Sequence, residues 1–234
     1  MRNLRAKSGP FAERPFFTDG EVERTCEDAL RLSGYFPTTP GPVKIDRFIE
    51  KHFKISPQYD DLPEGVLGYS CFGQSGMVSM HIAAALTDSG KRSVERRVNT
   101  TLAHEAGHGL FHAHLFALAE PGLSLFERDP DITATKILCR DENSAGRASQ
   151  GYDGRWWEHQ AHKAIGPLLL PKSLVIDAVA PFLTVRGLLG VADIAPDRRE
   201  EAVRHVGEIF DVNAVVARIR LQDICKPSGA QLTL

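Results

Sequence analysis

The chain has 234 residues, of which 42% are hydrophobic, 25% are charged and 8% are aromatic. This composition is ordinary for a globular protein, and it excludes collagen-like, disordered and disulfide-dense proteins. Because the formal net charge is only −2, the chain lacks the broad basic field of a nucleic-acid-binding protein. We therefore do not expect it to bind nucleic acid directly.

The sequence gives no sign of a membrane segment or of a disulfide framework. No stretch approaches the roughly 20 apolar residues that cross a bilayer, and the N-terminus has no continuous apolar core of the kind found in signal peptides. The four cysteines lie far apart and form no CxxC pair, which favours reduced thiols. We expect a cytoplasmic protein with no membrane partner.

The N-terminal part of the chain predicts an arm followed by two helices. Residues 1–19 contain scattered charge without periodicity, and we expect them to form a flexible arm. From Asp19, which suits an N-cap, apolar residues lie on one helical face until Gly34. After a proline-rich link, residues 43–53 again show helical spacing, so a second helix is predicted there.

The middle of the chain predicts a hairpin and a long helix. Residues 66–72 and 77–83 are rich in β-forming residues and flank the turn sequence GQSG, which indicates two antiparallel strands. From Ser93 to about Ala117, apolar residues recur every four positions. This spacing indicates a helix with one buried stripe.

The C-terminal half predicts a loop-rich insertion followed by helices. Residues 118–154 contain several glycines and prolines, with a short strand expected in ITATKILCR. A helix is expected from about Arg155 to Gly166, and two or three more between Lys172 and Ile224. The fold class is therefore α+β, with a small antiparallel sheet packed on the long helix and a helical C-terminal part.

The long helix carries the sequence HEAGH, from His104 to His108. Residues four apart on an α-helix are separated by about 6 Å along the axis and about 40° around it, so the two imidazoles can converge on one metal ion. Glu105 lies beside the first ligand but off the metal axis, where its carboxylate can accept a proton from a water molecule activated by zinc. The pattern predicts a zinc site with Glu105 as the general base.

A catalytic zinc ion normally has three protein ligands, so one more is needed. His112 and His114 follow on the same helix, but neither can reach the same ion unless the helix breaks. Metzincin peptidases break this helix at a glycine, and Phe111 stands at that position here. We expect His112 and His114 to support the ligands by hydrogen bonding or to lie at the surface.

The later helix offers a third ligand in Glu158, whose carboxylate would balance the charge of the ion, as in other sites with two histidines and one glutamate. His162 lies one turn further on the same face. It could orient a ligand histidine through that ring's free nitrogen, act as an alternative ligand, or be an ordinary surface histidine. Tyr69, His81 and His162 are also candidates, by residue type alone, for stabilising an oxyanion.

Three longer stretches surround or follow these residues, namely RRVNTTLAHEAGHGLFH, EHQAHKAIGPLLLP and FDVNAVVARIRLQ. They resemble, in this order, three motifs of the ImmA/IrrE family of metallopeptidases: R-x-R-F-T-x-A-H-E-x-G-H-x-x-x-H, E-x-x-A-N-x-F-A-x-x-L-L-M-P and F-x-V-S-x-x-A-x-x-x-R-L. The resemblance implies a zincin-like fold in which His104, His108 and Glu158 bind zinc. It also implies that Glu105 is catalytic. His162 stands where the family has asparagine, which leaves the ligand set intact but bears on substrate preference.

The resemblance also implies an activity and an organisation of the chain. Members of the family are endopeptidases of narrow specificity that often act on a helix-turn-helix repressor, so a repressor is the expected protein substrate. We expect a metallopeptidase domain over residues 20–185 and a helical subdomain with a tail over residues 186–234. A non-catalytic regulatory protein that contains zinc is the alternative, although such a protein would not need Glu105.

Two further hypotheses concern interaction surfaces. An exposed edge of the hairpin, within residues 66–82, could hold an extended peptide by strand addition. Residues 198–220 have the outline of a helix-turn-helix, which would suit DNA binding. Their charges are mixed, so a subdomain that packs on the rest of the fold is expected instead.

Overall fold

The structure is a computed structural model, and it describes residues 2–5, 13–73, 75–87, 90–118, 135–140, 156–186 and 191–225. Within these residues the chain forms seven α-helices and eight β-strands, which confirms the predicted α+β class. The helices are α1 (Asp19–Ser33), α2 (Ile45–Phe53), α3 (Arg92–Leu118), α4 (Trp156–Leu169), α5 (Lys172–Val179), α6 (Arg199–Ile209) and α7 (Ala214–Ile224). The strands are β1 (Arg2–Arg5), β2 (Glu13–Phe16), β3 (Gln58–Asp60), β4 (Val66–Gly73), β5 (Gly76–Ala83), β6 (Thr135–Arg140), β7 (Leu183–Arg186) and β8 (Val191–Ile194).

The largest sheet has four strands in the order β3-β5-β4-β6. β4 and β5 form the predicted antiparallel hairpin, and β6, which lies in the insertion, pairs antiparallel with β4. The prediction that the whole sheet is antiparallel is wrong, because β3 runs parallel to β5. The physical reason is that β3 joins the far edge of β5 instead of pairing with β4, its neighbour in sequence.

Other strands cover most of the hairpin's edges. β6 runs beside β4 from Val66 to Phe72, and β3 pairs with the last residues of β5. The outer edge of β4 is therefore already paired, and strand addition to the hairpin stays a hypothesis for β5 alone. Of the hairpin, residues 76–80 of β5 are the part whose outer edge has no partner strand among the described residues.

α3 is the central helix, packed against β4 and β5 on one side and against α4 on the other. The predicted stripe is buried at Val98, Leu102 and Ala106. Because α4 covers the opposite face, all of residues 101–109 are buried. Gly107 permits this close packing. A Cβ atom at this position would lie 2.9 Å from both the Ala161 carbonyl oxygen and the Ala164 Cβ.

α1 begins one residue earlier than the sequence indicates, because its N-cap is Thr18 and not Asp19. The Thr18 side chain accepts a hydrogen bond from the Glu21 backbone N–H, and the Glu21 carboxylate accepts one from the Thr18 backbone N–H. This reciprocal capping box satisfies two backbone donors that the helix leaves unpaired. The helix ends at Gly34, whose φ of 78° lies in the left-handed region that favours glycine.

The sequence predicts a flexible arm over residues 1–19. The end of this segment has defined packing. β1 and β2 form an antiparallel pair. The Phe17 ring, which follows β2, packs edge to face on Phe111 of α3, with ring centroids 4.9 Å apart. This contact joins the segment before α1 to the central helix.

The C-terminal helices pack on the rest of the fold. α6 contacts α5, and α7 contacts α4. Arg220 of α7 is 4% exposed; its Nε donates to the Leu170 carbonyl oxygen at 2.9 Å, and its two terminal nitrogens donate to the Glu23 carboxylate. The hairpin of β7 and β8, which the sequence did not predict, precedes α6. A buried arginine paired within the fold supports the packing role that the mixed charges of these helices predict.

Candidate metal centre

Three side chains from two helices converge at the interface of α3 and α4. His104 and His108 extend from α3, and Glu158 extends from the first turn of α4. The two Nε2 atoms are 3.1 Å apart. The Glu158 carboxylate lies 3.2 Å from Nε2 of His104 through Oε2, and 3.6 Å from Nε2 of His108 through Oε1. These three residues form a group that could hold a metal ion.

The separations in this group fit one metal ion. A tetrahedral ion with bonds of about 2.0–2.1 Å places its ligand atoms about 3.3–3.4 Å apart. The separation of the two Nε2 atoms and the distance from Glu158 Oε2 to His104 Nε2 lie close to that value, and one ligand atom from each of the three residues lies within 4.8 Å of the others. Glu158 Oε1 and His104 Nδ1 are buried and make no hydrogen bond among the described residues. Such unsatisfied buried atoms are costly, and a metal bond would satisfy the carboxylate oxygen.

The protonation states also suit metal binding. Burial lowers the pKa of His108 below its ordinary value, so its ring gives up a proton more readily than an exposed histidine and then has a nitrogen lone pair free for a metal ion. Burial by itself would raise the pKa of Glu158, but the adjacent His108 and His104 rings outweigh it and hold the pKa well below its usual range. Both shifts favour the forms that bind a cation, an unprotonated imidazole nitrogen and an ionised carboxylate.

Glu105 is fully buried beside the group. The Ser70 hydroxyl, on β4, donates to Glu105 Oε2 at 2.6 Å, whereas Oε1 has no hydrogen-bond partner among the described residues. Burial raises the pKa of Glu105 well above its ordinary value, and the Ser70 hydrogen bond partly opposes that shift. Ser70 was missed in the sequence, where the only signal was one polar residue inside the apolar strand VLGYSCF.

His112 contacts His108, which is the position that one of the two expectations for it requires. It is fully buried, and its Nδ1 lies 3.1 Å from Nδ1 of His108. Its other nitrogen, Nε2, lies 2.9 Å from Oε1 of Gln160 on α4. Burial lowers the pKa of His112 to about 3. His114 is exposed and α3 continues past it without a break, so it does not approach the group. Gln160 is a second residue that the sequence reasoning missed.

His162 lies beside the group but is not one of its converging donors. Its ring packs edge to face on the His104 ring, with centroids 4.5 Å apart. Its Nδ1 donates to the Glu158 carbonyl oxygen at 2.9 Å, one turn back on its own helix. The predicted hydrogen bond to the free nitrogen of a ligand ring is not formed, because His104 Nδ1 has no such partner among the described residues.

Tyr69 and His81 lie on the other face of the sheet. Because Ser70 points towards α3, the adjacent Tyr69 side chain points to the opposite side. Tyr69 stacks on His81 with ring centroids 4.4 Å apart. Asp60 and Ser79 hold the two ring nitrogens of His81. The structure does not bring either candidate to the metal group.

A groove leads away from the metal group between α1, α3, α4 and α7. Its volume is about 1330 Å³, and His104 and His162 are part of its lining. Two side chains of α7 that line it, Val215 and Ile219, are 55% and 54% exposed. The groove therefore has a partly apolar lining and reaches one of the three candidate ligands, His104.

Comparisons with known proteins give no assignment, since no protein-family model and no curated protein sequence matches the chain. The resemblance to the ImmA/IrrE family therefore stays an expectation. In the part of the chain that the structure describes, no single helix is long and apolar enough to cross a membrane. One pair of helical segments, Trp156–Leu169 and Lys172–Phe182, meets that requirement of length and composition together, with a bend of 54°.

Proposed function

We propose that the protein is a zinc-dependent endopeptidase with a zincin-like fold, of the ImmA/IrrE type. The observation that carries this proposal is the convergence of His104, His108 and Glu158 beside the buried Glu105. Two imidazoles and one carboxylate are a donor set typical of catalytic zinc in peptidases. The three family-like motifs support the further proposal that the natural substrate is a helix-turn-helix transcriptional repressor.

The residues present suit hydrolysis of a peptide bond. When bound, zinc lowers the pKa of water towards about 7 and polarises a substrate carbonyl group. Glu105 accepts a proton from the attacking water and delivers it to the leaving amine. Because burial raises the pKa of Glu105, its carboxyl group holds a proton more readily than an exposed glutamate does, which suits a base that keeps the proton between the two steps. Ser70 fixes one oxygen of Glu105 and leaves the other for the proton transfer.

The groove suits a polypeptide substrate better than a small molecule. Its volume of about 1330 Å³ exceeds the roughly 300–1,000 Å³ of ordinary small-molecule sites. His104 in its lining places the reacting peptide bond near the metal group, and the exposed Val215 and Ile219 offer apolar contacts for side chains further along the substrate. These contacts would give selectivity for apolar residues at a distance from the cut.

The decisive test is the variant Glu105→Gln in the full-length protein. We expect it to bind zinc as the wild type does, and to lose about 10²–10⁴-fold in cleavage rate, because the amide cannot accept the proton. Cleavage is measured by mass spectrometry on a proteome-derived peptide library and on a co-expressed candidate repressor. Glu95→Gln is the matched control, since it makes the same chemical change at an exposed position of the same helix.

Three outcomes would contradict the proposal. They are wild-type protein that binds no zinc, zinc-loaded wild type that cuts neither the library nor the repressor, and undiminished cleavage by Glu105→Gln. A zinc-loaded Glu105→Gln protein that retains full regulatory activity in cells would favour the non-catalytic zinc protein instead. Loss of cleavage in Glu95→Gln would show that the assay reports a general effect on the fold and not the chemistry of Glu105.

A further inference from the structure

We propose that Gln160 and His112 are positioning residues that orient His108 for metal binding and anchor the metal centre to the N-terminal segment at Pro15. The inference rests on the metal site of the proposed function. It goes further by assigning roles to residues outside the ligand set.

Four groups from three parts of the chain form a continuous series of hydrogen bonds. Gln160 Nε2 donates to the Pro15 carbonyl oxygen at 2.7 Å. Gln160 Oε1 lies 2.9 Å from His112 Nε2. His112 Nδ1 lies 3.1 Å from His108 Nδ1. The series begins on β2, crosses α4 and ends at a candidate ligand on α3.

With both imidazole rings neutral, only one arrangement of hydrogens satisfies the whole series. A carbonyl oxygen only accepts, so Pro15 fixes the orientation of the Gln160 amide and turns Oε1 towards His112. Oε1 also only accepts, so His112 Nε2 carries its hydrogen. A neutral imidazole has one N–H, and His112 Nδ1 must therefore accept from His108 Nδ1.

This arrangement of hydrogens determines the state of the candidate metal-binding atom, His108 Nε2. With its hydrogen on Nδ1, His108 presents an unprotonated Nε2, and this is the atom that lies 3.1 Å from His104 Nε2. Histidine ligands usually donate their other ring N–H to a partner, which fixes the tautomer and the orientation of the ring. Here the partner is His112, which Gln160 orients in turn.

The hydrogen bonds of this series are buried, so water cannot easily take the place of a side chain that is removed. His108 and His112 have no exposed surface, and Gln160 is 5% exposed. The Phe17 ring, two residues after Pro15, covers Phe111 beside His112. The segment before α1 is therefore part of the support of the metal centre, although more than 140 residues separate Pro15 from Gln160.

The test compares the zinc affinity of full-length variants by competition with a chromogenic chelator. Gln160→Met keeps the side-chain length but removes the amide, and we expect the affinity to fall about 10–100-fold, the usual cost of losing such a partner. Gln160→Glu keeps an acceptor oxygen for His112, and as the neutral carboxyl group that burial favours it also has an O–H to donate to the Pro15 carbonyl oxygen, so the affinity should stay within about three-fold of the wild type. The visible absorption spectrum of the cobalt-loaded protein should change in the first variant and not in the second.

Leu174→Ala is the control for a general loss of stability, since Leu174 is buried in α5, away from the series. It should lower the melting temperature and leave the zinc affinity unchanged. His112→Phe, which removes the same link one step closer to the metal, provides a second measurement if Gln160→Met does not fold.

The proposal is overturned if Gln160→Met, or His112→Phe in its place, binds zinc like the wild type. It is equally overturned if Leu174→Ala loses as much affinity as these variants, or if Gln160→Glu loses as much as Gln160→Met. Zinc binding is measured without any substrate, so a wild type that binds zinc but cuts nothing would refute only the peptidase. A wild type that binds no zinc would refute both.

Discussion

Replacement of Gly107 by alanine should weaken metal binding by forcing apart the two helices that supply the ligands. A Cβ atom at this position would lie 2.9 Å from both the Ala161 carbonyl oxygen and the Ala164 Cβ. Comfortable contacts between heavy atoms of this kind are about 3.5–4.0 Å, so α4 must retreat by about 0.6–1 Å. Both alanines are fully buried and belong to α4, so no flexible side chain can absorb the strain.

The effect on stability should be no larger than the effect on affinity. Overpacking destabilises a protein by about 1–3 kcal/mol. Replacement of glycine by alanine inside a helix stabilises the helix by about 1 kcal/mol. The net loss in the metal-free protein is thus about 0–2 kcal/mol. Metal sites tolerate deviations of only about 0.2 Å in ligand distance. A retreat of α4 carries Glu158 away from both histidines, so we expect zinc affinity to fall at least about 10–100-fold.

Chelator competition measures the affinity, and urea unfolding of the metal-free protein measures the stability. Gly20→Ala is the matched control, because a Cβ at Gly20 of α1 meets no atom within 4 Å. It should leave the zinc affinity unchanged. Equal zinc affinity in Gly107→Ala and wild type would refute the reasoning, as would an equal loss in Gly20→Ala.

Two further predictions concern single hydrogen-bonding side chains. Ser70→Ala removes the hydrogen-bond donor to Glu105, so kcat/KM should fall about ten-fold, which corresponds to about 1.4 kcal/mol. The zinc content, measured by atomic absorption, should stay constant. Unchanged kinetics would contradict the role of Ser70. Burial alone would raise the pKa of Asp211, but hydrogen bonds from Arg96 and Arg92 outweigh it and lower the pKa below the ordinary value of 3.8. A carboxyl group whose pKa is lowered by folding stabilises the fold at pH values above its ordinary pKa. This contribution to stability is lost as the pH falls through the pKa of the folded state. Asp211→Asn should therefore lower the free energy of unfolding by about 0.2–1 kcal/mol at pH 7. Urea unfolding at about pH 3 and below should show a smaller difference between the variant and the wild type. An equal difference at both pH values would refute the assignment.

The sequence predicted the elements whose signals are local. The spacing of apolar residues located α1, α2, α3 and α4 to within a few residues of their observed bounds. The turn sequence GQSG located the hairpin of β4 and β5. The HEAGH spacing brings His104 and His108 together because any α-helix places residues four apart on one side. These features depend on neighbours within one or two turns of the chain, so they can be read without the fold.

The features that the sequence did not predict depend on segments distant in the chain. The parallel pairing of β3 with β5 was missed because strand order depends on which edge of the sheet is open. The contact of Ser70 with Glu105 spans 35 positions, and nothing in either local sequence points to the other. The placement of Tyr69 and His81 away from the metal group follows from which face of the sheet packs on α3.

The sequence by itself determined an α+β chain with a pair of histidines on one helix and a glutamate between them. Glu158 was proposed as third ligand from its residue type and from the family resemblance, and only the tertiary structure brings its carboxylate to within 3.2 Å of His104. That distance depends on the close packing of α3 on α4, which Gly107 permits. The link from His112 through Gln160 to Pro15 was likewise decided by the fold, because burial forces each polar group to find a partner among whichever segments the packing brings nearby.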